Sequence, residues 1–170
     1  MRVLGIDCGS EITGYAVVEQ SAQGVLGCVA FGAIRLSPRE PLPLRLRKVL
    51  ADLGKVIELH APSKVAIEDV FYAANAKSAL KLGHVRGVAM LAAATYDLEV
   101  TEYAPLAIKS AVVGYGRAEK SQVQQMVMRL LNLPALPEPP DVADALAIAI
   151  CDLHTSATLH RQRTSGHGTV

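Results

Sequence analysis

Short apolar runs with two-residue alternation fill the first part of the chain. Val3, Leu4 and Ile6 predict a strand over Arg2–Asp7, and Gly5 within it lets another backbone approach closely. Cys8-Gly9-Ser10 reads as a turn, and Tyr15, Val17 and Val18 mark residues 13–20 as a second strand. A hairpin at Ala22-Gln23-Gly24 leads to a third strand over residues 25–36. After the prolines at 38, 41 and 43 the period lengthens. Leu44, Leu46, Val49, Leu50, Leu53 and Ile57 repeat at helical spacing up to His60. Residues 63–70 form a fourth strand, and its consecutive Val65, Ala66 and Ile67 are the mark of burial on both faces.

A long helix is predicted over residues 75–96, with Leu80, Val85, Val88, Ala89, Leu91 and Ala92 set among small residues. A strand over Glu99–Tyr103 and a Pro-initiated helix over Pro105–Val113 follow. Gly114-Tyr115-Gly116 breaks that helix, and residues 119–131 form another. Four prolines make residues 134–140 a loop, and Asp141 opens a last helix through Asp144, Leu146, Ile148 and Ile150. The polar stretch from residue 155 onward is expected to fray. This order predicts an α/β fold: a five-stranded mixed sheet, antiparallel over its first three strands and parallel afterwards, with helices on both faces. One domain over residues 1–155 and a flexible tail over residues 156–170 are expected.

Composition narrows the class. A chain of 170 residues, 51% of them apolar, suits one domain that buries roughly 70% of its unfolded surface. Cys8, Cys28 and Cys151 are too widely spaced for a disulfide framework or a zinc site. The uncharged stretch over residues 87–96 falls short of the roughly 20 residues a membrane span needs. Asp7 interrupts any signal-peptide core. A soluble, cytoplasmic protein without a membrane partner is expected.

The net charge is only +1, but it is unevenly spread. Arg35, Arg39, Arg45, Arg47 and Lys48 fall in fourteen residues with Glu40 as the only acid. Between Val70 and Tyr96 there is no carboxylate, while Lys77, Lys81 and Arg86 are present. Lys109, Arg117, Lys120 and Arg129 are opposed by Glu119 alone. Any one cluster could be a solvated face.

Four acids stand where the pattern calls for something apolar. Asp7 ends the first strand, Glu68 ends the apolar run of the fourth, and Asp141 and Asp144 share one face of the last helix. Singly, Asp141 reads as an N-cap, Asp144 as an acid serving the helix dipole, Asp7 as a turn acid and Glu68 as half of a salt bridge. Together, with the first and fourth strands as neighbours and the helix starting above their ends, they converge. Such a cluster repels itself unless hard divalent cations cancel its charge, and oxygen-only donors suit Mg²⁺ or Mn²⁺. Setting the four aside leaves 17 basic against 12 acidic residues, a net of +5 suited to a polyphosphate backbone.

These residues carry a resemblance. Gly5-Ile-Asp-Cys-Gly-Ser10 with Thr13-Gly-Tyr15, Ile67-Glu68 with Val70-Phe71, and Asn75-Ala-Lys-Ser-Ala-Leu-Lys-Leu-Gly83 with Arg86-Gly87 are similar to the RuvC family. So are Lys109, Val112-Val-Gly114, Ala118-Glu-Lys-Ser-Gln-Val123 and Asp141-Val-Ala-Asp-Ala-Leu-Ala-Ile-Ala149, in the family's order. That family comprises bacterial Holliday-junction resolvases within the RNase H-like nucleases. The resemblance implies an RNase H-like sheet and a homodimer that nicks four-way DNA junctions symmetrically. It also implies dependence on Mg²⁺, two ions per site with Mn²⁺ able to substitute, and cooperation with the RuvA–RuvB branch-migration complex. On the family's pattern Asp7, Glu68, Asp141 and Asp144 are the metal-binding catalytic acids. Lys120 stands at a position expected to stabilise the transition state, and Lys109 at one expected to hold a neighbouring phosphate. Phe71 matches an aromatic that stacks on bases at the crossover, with Tyr72 extending it, and Lys77, Lys81, Arg86 and Arg117 are the further expected DNA contacts. The family usually has Pro where this chain has Cys8, so a thiol open to oxidation or softer metals is expected beside the acids. Ala74 stands where relatives often carry a basic residue. The first phosphate loop of actin-like kinases is similar to Gly5–Ser10 too, but their second phosphate loop and adenosine-binding Gly pair are not found.

Overall fold

The computed structural model describes residues 1–69 and 76–165. Its elements run β1 (Arg2–Asp7), β2 (Ile12–Gln20), β3 (Leu26–Arg35), α1 (Leu42–His60), β4 (Lys64–Glu68), α2 (Ala76–Thr95), β5 (Glu99–Tyr103), α3 (Pro105–Val113), α4 (Lys120–Leu130) and α5 (Pro140–Ser165). The sheet order is β3-β2-β1-β4-β5. β1 to β3 pair antiparallel, and β4 and β5 continue the sheet in parallel, as the sequence pattern predicts.

Strand alternation divides the core in two. Val3 and Ala66 point to one face and pack with Val112, Val127 and Leu146 from α3, α4 and α5. Leu4, Ile6, Val65 and Ile67 point to the other and pack with Leu53 of α1 and Ala89 of α2. Both faces of the central strands are therefore covered, which is why their apolar residues run consecutively.

Helix α5 lies directly on the sheet because two glycines leave room for it. A Cβ at Gly5 would stand 2.8 Å from the Ala149 nitrogen and 3.0 Å from its Cβ, and would run into the Ala145 carbonyl. At Gly14 it would run into the Asp141 carbonyl and stand 3.1 Å from the Val142 nitrogen. Gly14 is the register partner of Asp7, so this seat sets the first turn of α5 beside the end of β1. Gly14→Ala is expected to destabilise the fold by about 1–3 kcal/mol through overpacking. Urea unfolding measures this, and an unchanged midpoint would mean that the helix is not seated there.

The last helix continues to Ser165, beyond the start of the polar stretch. No Gly or Pro interrupts it after Pro140, and the polar residues are compatible with helix: the Thr155 and Thr158 hydroxyls donate to the Cys151 and His154 carbonyls at 2.8 and 2.9 Å. Pro140–Leu159 is also long and apolar enough to span a membrane, unlike the stretch over residues 87–96. Its most apolar window is 61% buried within the fold, as suits a central core helix.

Candidate active site

The parallel register that pairs Ile6 with Ile67 brings the ends of β1 and β4 side by side, and with them Asp7 and Glu68. Both side chains share the sheet face covered by α5, from whose second turn Asp144 approaches. The three carboxylates line a cleft of about 250 Å³, together with Lys109 of α3 and Lys120 of α4. Lys120 opens α4, where a reciprocal cap fixes the chain: the Gln122 side-chain oxygen accepts from the Glu119 backbone N–H at 2.8 Å. From there the Lys120 ammonium donates to Asp144 Oδ2 at 2.6 Å.

The charges act on one another strongly. Burial first, then the negative fields of Asp144, Glu68 and Asp141, push the Asp7 carboxyl from 3.8 up to about 7, against the opposing pull of Lys120. Glu68 is raised by burial and by Asp144, with Lys120 and Lys109 opposing. For Lys120, burial favours the neutral amine, but its bond to Asp144 and the fields of Asp144, Asp7 and Asp141 outweigh this, so the ammonium is held above its ordinary range.

Asp141 does not line the cleft. Its backbone rests over Gly14, and it reaches Asp7 through its field. With Asp144 engaged by Lys120, no three His, Cys, Asp or Glu side chains among the described residues close on one point as they stand. The donor chemistry still fits a hard divalent cation. The acids of the cleft are all carboxylates, no thiol or imidazole joins them, and the repulsion that lifts Asp7 is what a cation would relieve.

The model of the crossover junction endodeoxyribonuclease RuvC family matches residues 3–152. The chain belongs to the RuvC family. It is 68% identical over 161 residues to RuvC of Koribacter versatilis, covering 95% of this chain and 97% of that one. It is 56% identical to RuvC of Acidobacterium capsulatum, covering 96% of this chain and 99% of that one. Among solved structures, Thermus thermophilus RuvC in complex with a Holliday junction substrate matches with a TM-score of 0.88 at 32% identity, covering 93% and 96% of the two chains. The mixed five-stranded sheet is thus the RNase H-like sheet of RuvC.

The RuvC pattern in this chain can be followed residue by residue. Asp7, Glu68, Asp144, Lys109 and Lys120 meet in the cleft, while Lys81 and Arg117 are exposed elsewhere. Phe71, Tyr72 and Ala74 lie outside the described residues, as does the side chain of Lys77. Arg86, an expected DNA contact, is engaged by carboxylates in this structure. Its guanidinium, only 18% exposed, pairs with Glu102 and lies 3.5 Å from Asp69. Both partners sit just outside the carboxylate-free run that made Arg86 look unopposed. Cys8 corrects an expectation. Its side chain packs with the α1–α2 core rather than in the acid cleft. Burial first, then the field of Asp7, push its thiol up to about 12, so it stays protonated at neutral pH.

Asp152 is a further acid, fully buried in α5. The signal that singled out Asp144, an acid inside an apolar helical run, applies to it equally.

Proposed function

We propose that this chain is a structure-selective endodeoxyribonuclease. It resolves four-way (Holliday) DNA junctions by paired symmetric nicks, leaving 5′-phosphate and 3′-hydroxyl ends, in homologous recombination and DNA repair. The gathering of Asp7, Glu68 and Asp144 with Lys120 in one cleft of a RuvC-family chain carries this reading.

Asp7, Glu68 and Asp144, with Asp141 beside them, would hold divalent cations: two Mg²⁺ per site, with Mn²⁺ able to replace them. When bound, such a pair supplies an activated water, charge cancellation at phosphorus and stabilisation of the leaving oxygen. The protein's own groups do the rest. The cleft holds the scissile phosphate against the sheet end. Lys120, already charged and directed into the cleft, exchanges its bond to Asp144 for the phosphoryl oxygen that gains charge in the transition state. Lys109 fixes a neighbouring phosphate and so the register of the strand. Phe71, with Tyr72, stacks on bases at the branch point, and Lys77, Lys81 and Arg117 track the phosphate backbone. Residues 1–155 act as one unit, in the cytoplasm and beside the RuvA–RuvB complex.

Two like-polarity nicks need two sites, hence a homodimer. Helix α2 suits its interface. Leu80 and Leu91 are 64% and 55% exposed, and Gly83 and Gly87 between them face open space. A second copy of this helix could approach closely along that stripe. Gly87→Leu is expected to weaken dimerisation at least about tenfold, or ~1.4 kcal/mol, in sedimentation equilibrium. An unchanged dimer would place the interface elsewhere.

The activity is tested by incubating the protein with a synthetic mobile four-way junction and Mg²⁺ or Mn²⁺. Paired nicks that DNA ligase reseals are expected. Equal cutting of linear duplex, or no metal requirement, would overturn the reading.

A further inference from the structure

Asp152 is fully buried in the apolar middle of α5, where a carboxylate is expensive to keep. Its Oδ1 accepts from the Tyr103 hydroxyl at 2.9 Å and lies 2.8 Å from Lys64 Nζ. Lys64 Nζ also reaches Ser156 Oγ, one turn further along the helix, at 3.3 Å. The partners belong to β4, which carries Glu68, and to its neighbour β5. Lys64 opens β4, which Glu68 closes. Tyr103 is the register partner of Glu68, and its carbonyl accepts the Asp69 N–H at 2.8 Å. Asp152 therefore grips β4 at one end and β5 beside the other.

This grip adds to the close seat of α5 on β1 and β2, where Ala145 and Ala149 lie over Gly5 and Asp141 lies over Gly14. Asp144 sits eight residues before Asp152 on the same helix, roughly 12 Å along its axis. Any axial slip of α5 on the sheet would change the separation of Asp144 from Glu68 directly.

We infer that Asp152, with Lys64 and Tyr103, is a positioning device that fixes the axial register of α5 against β4 and β5, and so the spacing of Asp144 and Glu68 in the cleft. This rests on the reading of that cleft as a cation-holding site. Asp152 is shut off from solvent and touches no reacting group; it acts through the helix.

Tyr103→Phe removes only the hydroxyl and keeps the ring in the core, so it tests the device gently; Asp152→Asn is the second variant. Thermal unfolding, Mn²⁺ binding followed by EPR without DNA, and single-turnover junction cleavage over a Mg²⁺ titration are measured on the full chain. Both variants are expected to bind Mn²⁺ about tenfold more weakly. Their cleavage midpoints should move to higher Mg²⁺ by a similar factor, with junction affinity unchanged. Should Asp152→Asn fail to fold, Tyr103→Phe decides alone. A Tyr103→Phe protein with a lowered Tm but wild-type Mn²⁺ affinity and Mg²⁺ midpoint would overturn the inference, leaving a purely structural ion pair. Because the Mn²⁺ arm contains no DNA, it decides the positioning role whether or not the junction is cut.

Discussion

Asp7→Asn is expected to reduce junction cleavage by about 10³-fold or more while leaving junction binding in place, because it removes a carboxylate that a bound cation requires and that no neighbour replaces. The same substitution should stabilise the metal-free protein. The Asp7 carboxyl is pushed from 3.8 up to about 7, so the folded chain binds that proton more tightly than the unfolded chain does. A group raised in this direction contributes stability below its unfolded value and loses it as the pH rises through its folded value. Wild-type Tm without metal should therefore fall between about pH 4 and pH 7 relative to Asp7→Asn, whose amide has no proton to lose. Added Mg²⁺ should lift the wild-type curve above pH 7 and have little effect on the variant. Differential scanning fluorimetry from pH 4 to pH 8, with and without Mg²⁺, reads both effects. Parallel curves for the two proteins would show that Asp7 does not carry the repulsion, whatever happens to cleavage.

The fold was legible because its signals are local and repeated. Alternation in β1 and β2, the continuous apolar run in β4, and prolines at the helix starts each state an element within a few residues. Topology follows from connection length: β2 follows β1 through a tight turn and must pair antiparallel, whereas β4 follows a helix and can pair in parallel. The acids of the cleft were legible for a related reason. Glu68 after Val65, Ala66 and Ile67, and Asp144 within an apolar helix, each break a pattern that packing would otherwise enforce.

What the sequence concealed depends on distance in space. Arg86 belongs to a stretch free of carboxylates, yet its partners Asp69 and Glu102 arrive from the flanking strand ends. Cys8 follows Asp7 immediately, and strand alternation turns its thiol to the opposite face, away from the acids. Adjacency along a strand separates side chains; adjacency across strands unites them. The end of α5 was hidden differently. The polar composition after residue 155 carries no apolar period to mark a helix, yet no residue there opposes helical geometry, and α5 runs to Ser165.

Lys120→Ala is the second variant with a large expected effect, and its value lies in separating two roles of one ammonium. In the protein alone Lys120 binds Asp144 Oδ2 at 2.6 Å and lowers the repulsion felt by Asp7. With DNA in the cleft the same charge faces the phosphoryl oxygens. Stabilisation of the transition state predicts a loss of about 10²–10³ in single-turnover cleavage of saturating junction, independent of Mg²⁺ concentration. Organisation of Asp144 alone predicts instead a loss that rising Mg²⁺ restores, since cation would take over the neutralising role. Junction affinity should fall little in either case, because one phosphate contact among several is removed, and the slope of log K against log salt should decrease by about one. Lys120→Arg retains the charge but replaces a compact ammonium with a planar fork, so partial recovery of rate is expected. A Lys120→Ala rate equal to wild type at every Mg²⁺ concentration would exclude both roles and leave Lys120 as a surface partner of Asp144.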